Sequence, residues 1–263
     1  MKNKIGWCNL TFNPVWGCMN KCEYCYARRI AKRFWKQRYD DEFNFYYMAH
    51  PNWVWTGDYL SGLKDFKPTF LESQFVKKFP QKTQKIFVGS MSEIAHWDEV
   101  WIERVIEKIK QYPQHTFQFL TKFPQVYNDW VFPSNCWLGV TIIKNPKTGE
   151  PGRWDYYEYK QHNKDNLKFV CFEPLLMDMQ LIYFLNLEGI NWVIIGAETG
   201  NRKGEIIPKK EWIENIIDYC RRAKIPIYLK DSLKDIYPEE IKEFPKIKKE
   251  RRKGDARTKE CRR

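Results

Sequence analysis

KFVCFEP, residues 168–174, sets four apolar residues in a row, Phe169 to Phe172, between a lysine and a Glu-Pro stop. A run this short and this continuous reads as a β-strand buried on both faces, the kind found in parallel sheets. Working outward, KIFVGSM (85–91), TFQFLTK (116–122), CWLGVTI (136–142), NWVIIGAE (191–198) and PIYLKDS (226–232) repeat the pattern, and CNLTFNP (8–14) is a weaker seventh case. Helical segments are expected between them, over 23–36, 70–78, 98–111, 179–186 and 209–223. In the third, Val100, Ile102, Val105, Ile106 and Ile109 are expected near one face. In the last, Pro208 ahead of Lys-Lys-Glu-Trp is expected in the first turn. The alternation predicts an α/β fold with a parallel sheet. Six or seven units suit a complete or partial barrel, and an open doubly wound sheet would share the local pattern.

Composition narrows the class. The 263 residues are 43% hydrophobic and 17% aromatic, enough for a sizeable core and unlike a disordered chain. No stretch approaches the roughly 18 apolar residues of a membrane span, and the N-terminus lacks a signal-type apolar run. The expectation is one cytoplasmic domain, in which the eight cysteines do not form disulfides and the clustered ones are metal ligands or redox groups. Residues 38–67, rich in aromatics, read as an irregular insertion that forms a lid or side wall or packs on the barrel. The formal charge is +12, and residues 242–263 hold eleven Lys or Arg against four Asp or Glu, a net of +7. The expected units are therefore a domain over 1–241 and a basic tail over 242–263. Such a tail attracts phosphates, as in nucleic acid, or serves as a solvated terminus.

Polar residues gather where the strands end: Ser90, Ser92 and Glu93, then Thr121 and Lys122, Thr141, Glu173, Glu198 with Thr199, and Lys230 with Asp231. In parallel α/β folds ligands bind at these carboxyl ends. Each residue taken singly is equally well read as a cap for the following helix.

The densest chemistry lies in VWGCMNKCEYCYARRI, residues 15–30, where Cys18, Cys22 and Cys25 fall within eight residues. A structural zinc site needs a fourth ligand. His50, His96, His115 and His162 are scattered, and Cys8 is the one cysteine near enough in sequence to complete it. Three thiolates can instead hold three corners of a [4Fe-4S] cluster, leaving one iron open.

This CxxxCxxC spacing, with an aromatic residue before the third cysteine and a βα series behind it, resembles the radical S-adenosylmethionine (radical SAM) superfamily. TFNPVWGCMNKCEYCYARRIAKRF, VGSMSEIAH, FQFLTK, WLGVTI, FEPLL, WVIIGAETG and IPIYLKDSL extend the resemblance to the phage-associated three-cysteine-motif family of radical-SAM-like proteins, whose members mostly lack an assigned reaction. The resemblance implies a partial (β/α)6-type TIM barrel with the cluster loop after the N-terminal strand. It also implies a [4Fe-4S] cluster on Cys18, Cys22 and Cys25, S-adenosyl-L-methionine on the open iron, and an electron donor such as flavodoxin or ferredoxin. By position, Tyr24 would lie near the adenine, and Ser90, Ser92 and Glu93 would replace the family's frequent Gly-Gly-Glu at the methionyl amino group. Thr141, Glu173 and Glu198 would stand at ribose, carboxylate and cavity positions.

Alternation puts Cys171 on the face of Glu173, as a candidate hydrogen donor or a small core residue. The expected function is a radical SAM enzyme on an unidentified substrate, nucleic acid or nucleotide among the candidates. The alternative is a non-catalytic, zinc- or cluster-stabilised nucleic-acid-binding protein.

Overall fold

The structure, a computed structural model, describes residues 5–49, 60–142, 163–179 and 187–246. The strands are β1 (Leu10–Phe12), β2 (Val15–Trp16), β3 (Thr69–Phe70), β4 (Lys85–Val88), β5 (Thr116–Thr121), β6 (Cys136–Thr141), β7 (Leu167–Phe172), β8 (Trp192–Ile195) and β9 (Ile227–Leu229). The helices are α1 (Tyr26–Ala49), α2 (Glu72–Phe75), α3 (Glu99–Lys110) and α4 (Lys210–Arg222). All seven strands expected from the apolar runs are present and pair in parallel, in the order β1-β4-β5-β6-β7-β8-β9. A doubly wound sheet reverses its strand order at a switch point, whereas this order runs one way along the chain. The sheet curls into a half-barrel. β2 and β3 form a small antiparallel ribbon beside it.

Strand alternation sorts side chains between two cores. Val170, Phe172, Val193, Ile195, Ile227 and Leu229 face the convex side, packed with Ile102, Val105, Ile106 and Ile109 of α3 and Ile213, Ile216 and Cys220 of α4. Phe169, Cys171, Trp192, Ile194 and Tyr228 face the concave side with Trp7, Phe87 and Trp137. Much of the aromatic content thus fills the half-barrel floor, where Trp7 lies 4.6 Å from Phe87 and Trp137 5.7 Å from Trp192. Gly139 makes room for it: a Cβ there would fall 2.1 Å from the Phe169 ring.

Several helix expectations change. Val100 is 57% exposed. Ile102, Val105, Ile106 and Ile109 recur at helical spacing, and Val100 is rotated about 200° from Ile102, off their stripe. α1 does not end near Lys36 but runs on to Ala49, so residues 38–49 are helical rather than irregular. Trp35, Tyr39 and Phe43, four residues apart, form a stripe against Ala27, Ala31 and Leu60, which strand-favouring aromatics disguise. The expected helix over 70–78 shrinks to the single turn of α2. Lys209 caps α4, leaving Pro208 outside its first turn. The segment 179–186 lies outside the described residues beyond Met179, as do His50, His162 and Cys261.

The basic segment begins inside the fold. Leu229 N–H donates to Ile241 O and Glu243 N–H to Ile227 O, so this segment covers the edge of β9. Phe244 packs 5.2 Å from Trp192. Residues 247–263 lie outside the described residues. No helix among the described residues is long and apolar enough to cross a membrane.

Candidate functional site

The three-cysteine loop leaves β2 at Gly17, whose φ of +107° suits glycine. Gly17 N–H donates to Met91 O at 3.1 Å and Cys18 N–H to Phe66 O at 2.9 Å, wedging the loop between the segment after β4 and residues 66–68. The end of the aromatic insertion therefore forms a side wall to the loop. Arg28, in the first turn of α1, donates to Cys18 O and Asn20 O at 3.1 and 2.9 Å and stacks over Phe66.

Two sulfurs receive amides: Asn20 N–H reaches Cys18 Sγ and Arg28 N–H reaches Cys25 Sγ, each at 3.3 Å. Amide donors at the start of a helix favour thiolate. Burial works against this at Cys18, and with the charges of Glu93, Cys25 and Cys22 it holds that thiol up at about 11, although the Asn20 amide opposes the shift. A Cys18 thiol held protonated in this way suits a positively charged group, which releases its proton on binding. In metal-free protein, alkylation of Cys18 by iodoacetamide should keep accelerating up to about pH 11; a plateau near pH 9 would contradict this environment.

Among the described residues, no three His, Cys, Asp or Glu side chains converge tightly enough to hold a single metal ion. Zinc would need its sulfurs about 3.8 Å apart, given Zn–S bonds of about 2.3 Å, whereas a cube places each thiolate on a different iron. Cys8, the sequence's candidate fourth ligand, is buried with Trp7 and Phe87 in the concave floor, while Cys18 and Cys25 pack against the cluster around Trp16. His96 does approach, its Nδ1 accepting Met19 N–H at 3.2 Å and lying 3.7 Å from Cys18 Sγ. Nothing in the sequence distinguished it from the other histidines.

Below the loop, the expected strand-end residues separate into three groups. Tyr24 lies with Glu198 beside the thiols: burial, then the Cys22 sulfur it hydrogen-bonds, then Cys25 and Glu198 raise its phenol well above the usual range. Glu198 is 4% exposed, and Arg202 Nε donates to its Oε1 at 2.5 Å, while its buried Oε2 has no hydrogen-bond partner. Arg202 also reaches Glu23 at 3.0 Å, linking the loop after β8 to the cysteine loop.

The second group is Cys171, Glu173 and Lys230. Lys230 pairs with Glu173, and Cys171 Sγ lies 3.8 Å from the other Glu173 oxygen. Glu198 pairs with Arg202, and Lys230 with Glu173. Burial would depress the Lys230 ammonium, but the Glu173 carboxylate outweighs it and keeps the group charged. Burial and then Glu173 hold the Cys171 thiol well above its ordinary value, against Lys230 and Lys122. Thr141, buried at the end of β6, stands in register with Cys171.

The third group serves the framework. Ser90 Oγ bonds Asn13, Ser92 Oγ accepts from Trp97 Nε1, and Glu93 takes the amides of Ala95 and Lys122 and the Thr121 hydroxyl. Tyr26, absent from the expected set, donates to Ser90 O at 2.7 Å. It is 42% exposed although protein surrounds its hydroxyl, as for a side chain lining a concavity; that burial, then Glu173 and Cys25, raise its phenol. Its place directly after the third cysteine was the available signal.

No curated protein and no solved structure matches the chain. A family model does, over residues 2–258, and by that match the chain belongs to the family described as "Protein of unknown function (DUF5131)".

Proposed function

We propose that the chain is a radical SAM enzyme on a partial (β/α)6-type TIM barrel, with Cys18, Cys22 and Cys25 holding a [4Fe-4S] cluster and S-adenosyl-L-methionine bound beside it. The observation that carries this reading is position: three thiols, two of them with amide support, stand over the carboxyl edge of a parallel half-barrel. The concave face there offers the unpartnered oxygen of Glu198. When bound, the cluster and cofactor supply one-electron cleavage of a sulfonium C–S bond and a carbon radical able to take hydrogen from a substrate.

The chain's own residues bind and shield. Glu198 Oε2 is a buried acceptor aimed where a cofactor hydroxyl or amine would satisfy it. Tyr24 and Tyr26 remain phenols, so their hydroxyls donate. Lys230 supplies a fixed ammonium for a carboxylate or phosphate, oriented by Glu173. Cys171 keeps its S–H, the form a hydrogen donor requires. The aromatic floor closes the concavity to water from below.

Anaerobic purification with iron and sulfide tests the reading. The expected product is a brown protein with about four irons per chain, whose electron paramagnetic resonance signal shifts with S-adenosyl-L-methionine and which forms 5′-deoxyadenosine on reduction by a flavodoxin or ferredoxin. A colourless chain with one zinc would sink it and favour the binding-protein alternative.

A further inference from the structure

The first half of α1 carries a surface that the chemistry above does not use. From Tyr26 to Tyr39, YARRIAKRFWKQRY holds six Lys or Arg and no Asp or Glu. Arg28 and Arg29, in the first turn, oppose the helix dipole, so helix stability does not account for them. Arg28 is engaged with the cysteine loop. Arg29, Lys32, Arg33 and Lys36, at helical spacing, form one exposed face opposite buried Ala27 and Ala31. Exposed Phe34 flanks that face, with Arg33 5.2 Å over its ring.

Several exposed cations elsewhere are paired: Lys110 with Glu107, Lys210 with Glu214 and Arg221 with Glu243. Among the described residues no carboxylate pairs with Lys32, Arg33 or Lys36. At its upper end the face adjoins the mouth of the half-barrel. The Arg29 guanidinium lies against Gly200 in the loop after β8, where a Cβ would fall 1.8 Å from it, and neighbouring Tyr26 reaches Ser90 after β4.

We infer that this face of α1 is a phosphodiester track, binding a nucleic-acid strand and leading it to the concave site. Arg29 to Lys36 spans about 10 Å of helix, about three nucleotide steps of 3.4 Å. The cations provide the sequence-independent attraction, and Phe34 and Tyr26 provide ring faces for stacking bases. A lipid surface fits less well, because an interfacial helix buries its apolar side in the bilayer. The apolar stripe of α1 is already occupied, with Ala31, Trp35, Tyr39 and Phe43 packed inward. That the bound strand is also the substrate rests on the function proposed above; the binding surface does not.

The test is fluorescence anisotropy with labelled DNA and RNA strands on the full chain, with and without iron, so that failure of the cluster reading leaves it intact. The triple variant Lys32→Gln, Arg33→Gln, Lys36→Gln should bind at least about tenfold more weakly near 0.1 M salt, with a log-log salt slope shallower by about 2. Lys32→Arg with Lys36→Arg should retain binding. The control Lys77→Gln, Lys78→Gln, Lys82→Gln removes equal charge from exposed positions ahead of β4, at the opposite end of the sheet. It should lose far less. Equal losses in the two triples would overturn the proposal, as would an unchanged slope, or binding through these residues to phosphatidylserine vesicles but not to the strands.

Discussion

Cys22→Ala is expected to abolish cluster loading while leaving the fold intact. Cys22 is half-buried on a loop, and the side-chain contact at stake is its hydrogen bond with Tyr24. The Cys25 N–H to Cys22 O bond belongs to the backbone and survives. Unfolding free energy should fall by no more than about 1 kcal/mol, the net worth of one hydrogen bond. Iron should drop from about four per chain to below about one, because two thiolates cannot fix a cube whose fourth iron is open. Cys171→Ala is the contrast: it should keep its iron and lose only turnover. Full iron content in Cys22→Ala would refute the ligand assignment.

Gly17→Ala should do the reverse, disabling the site with all three thiols present. An added Cβ would fall 2.0 Å from Lys67 O, which is backbone, at a residue with φ +107°. The loop must lift, straining or breaking the Gly17–Met91 and Cys18–Phe66 bonds at 3.1 and 2.9 Å. Backbone strain of about 1–3 kcal/mol and up to about 1 kcal/mol per lost bond predict a total of about 1–5 kcal/mol. Urea unfolding reads the loss, and iron per chain should fall with it. Gly189→Ala isolates the backbone component, since its φ is +83° with nothing within 4 Å of a new Cβ. It should cost about 1–2 kcal/mol. If Gly17→Ala matches Gly189→Ala in both measurements, the loop is not wedged as described.

Most of the seven strands were legible because a parallel strand covered on both faces favours a nearly continuous apolar run, and KFVCFEP and NWVIIGAE are short and rich in β-branched and aromatic residues. The helices were less so. Trp35, Tyr39 and Phe43 are helical because they meet Ala31 and Leu60, a partner surface that local propensity does not reveal. At the site, Cys171 and Glu173 could be put on one face by alternation, but that Glu173 would take Lys230, 57 positions away, could not. Likewise Glu93, a plausible ligand by position, spends its oxygens on Ala95, Thr121 and Lys122.

By itself the sequence determined the α/β class, the sharing of one strand face by Cys171 and Glu173 and the crowding of three thiols, because periodicity and spacing are local properties. Only the tertiary structure chose a half-barrel over a doubly wound sheet, since that depends on which strands become neighbours. It also decided which polar residues are spent on the framework and which face the cavity, and it left one oxygen of Glu198 without a partner beneath the cysteine loop. Those outcomes depend on contacts between residues far apart in the chain, and a pairing of that kind exists only once the chain has closed on itself.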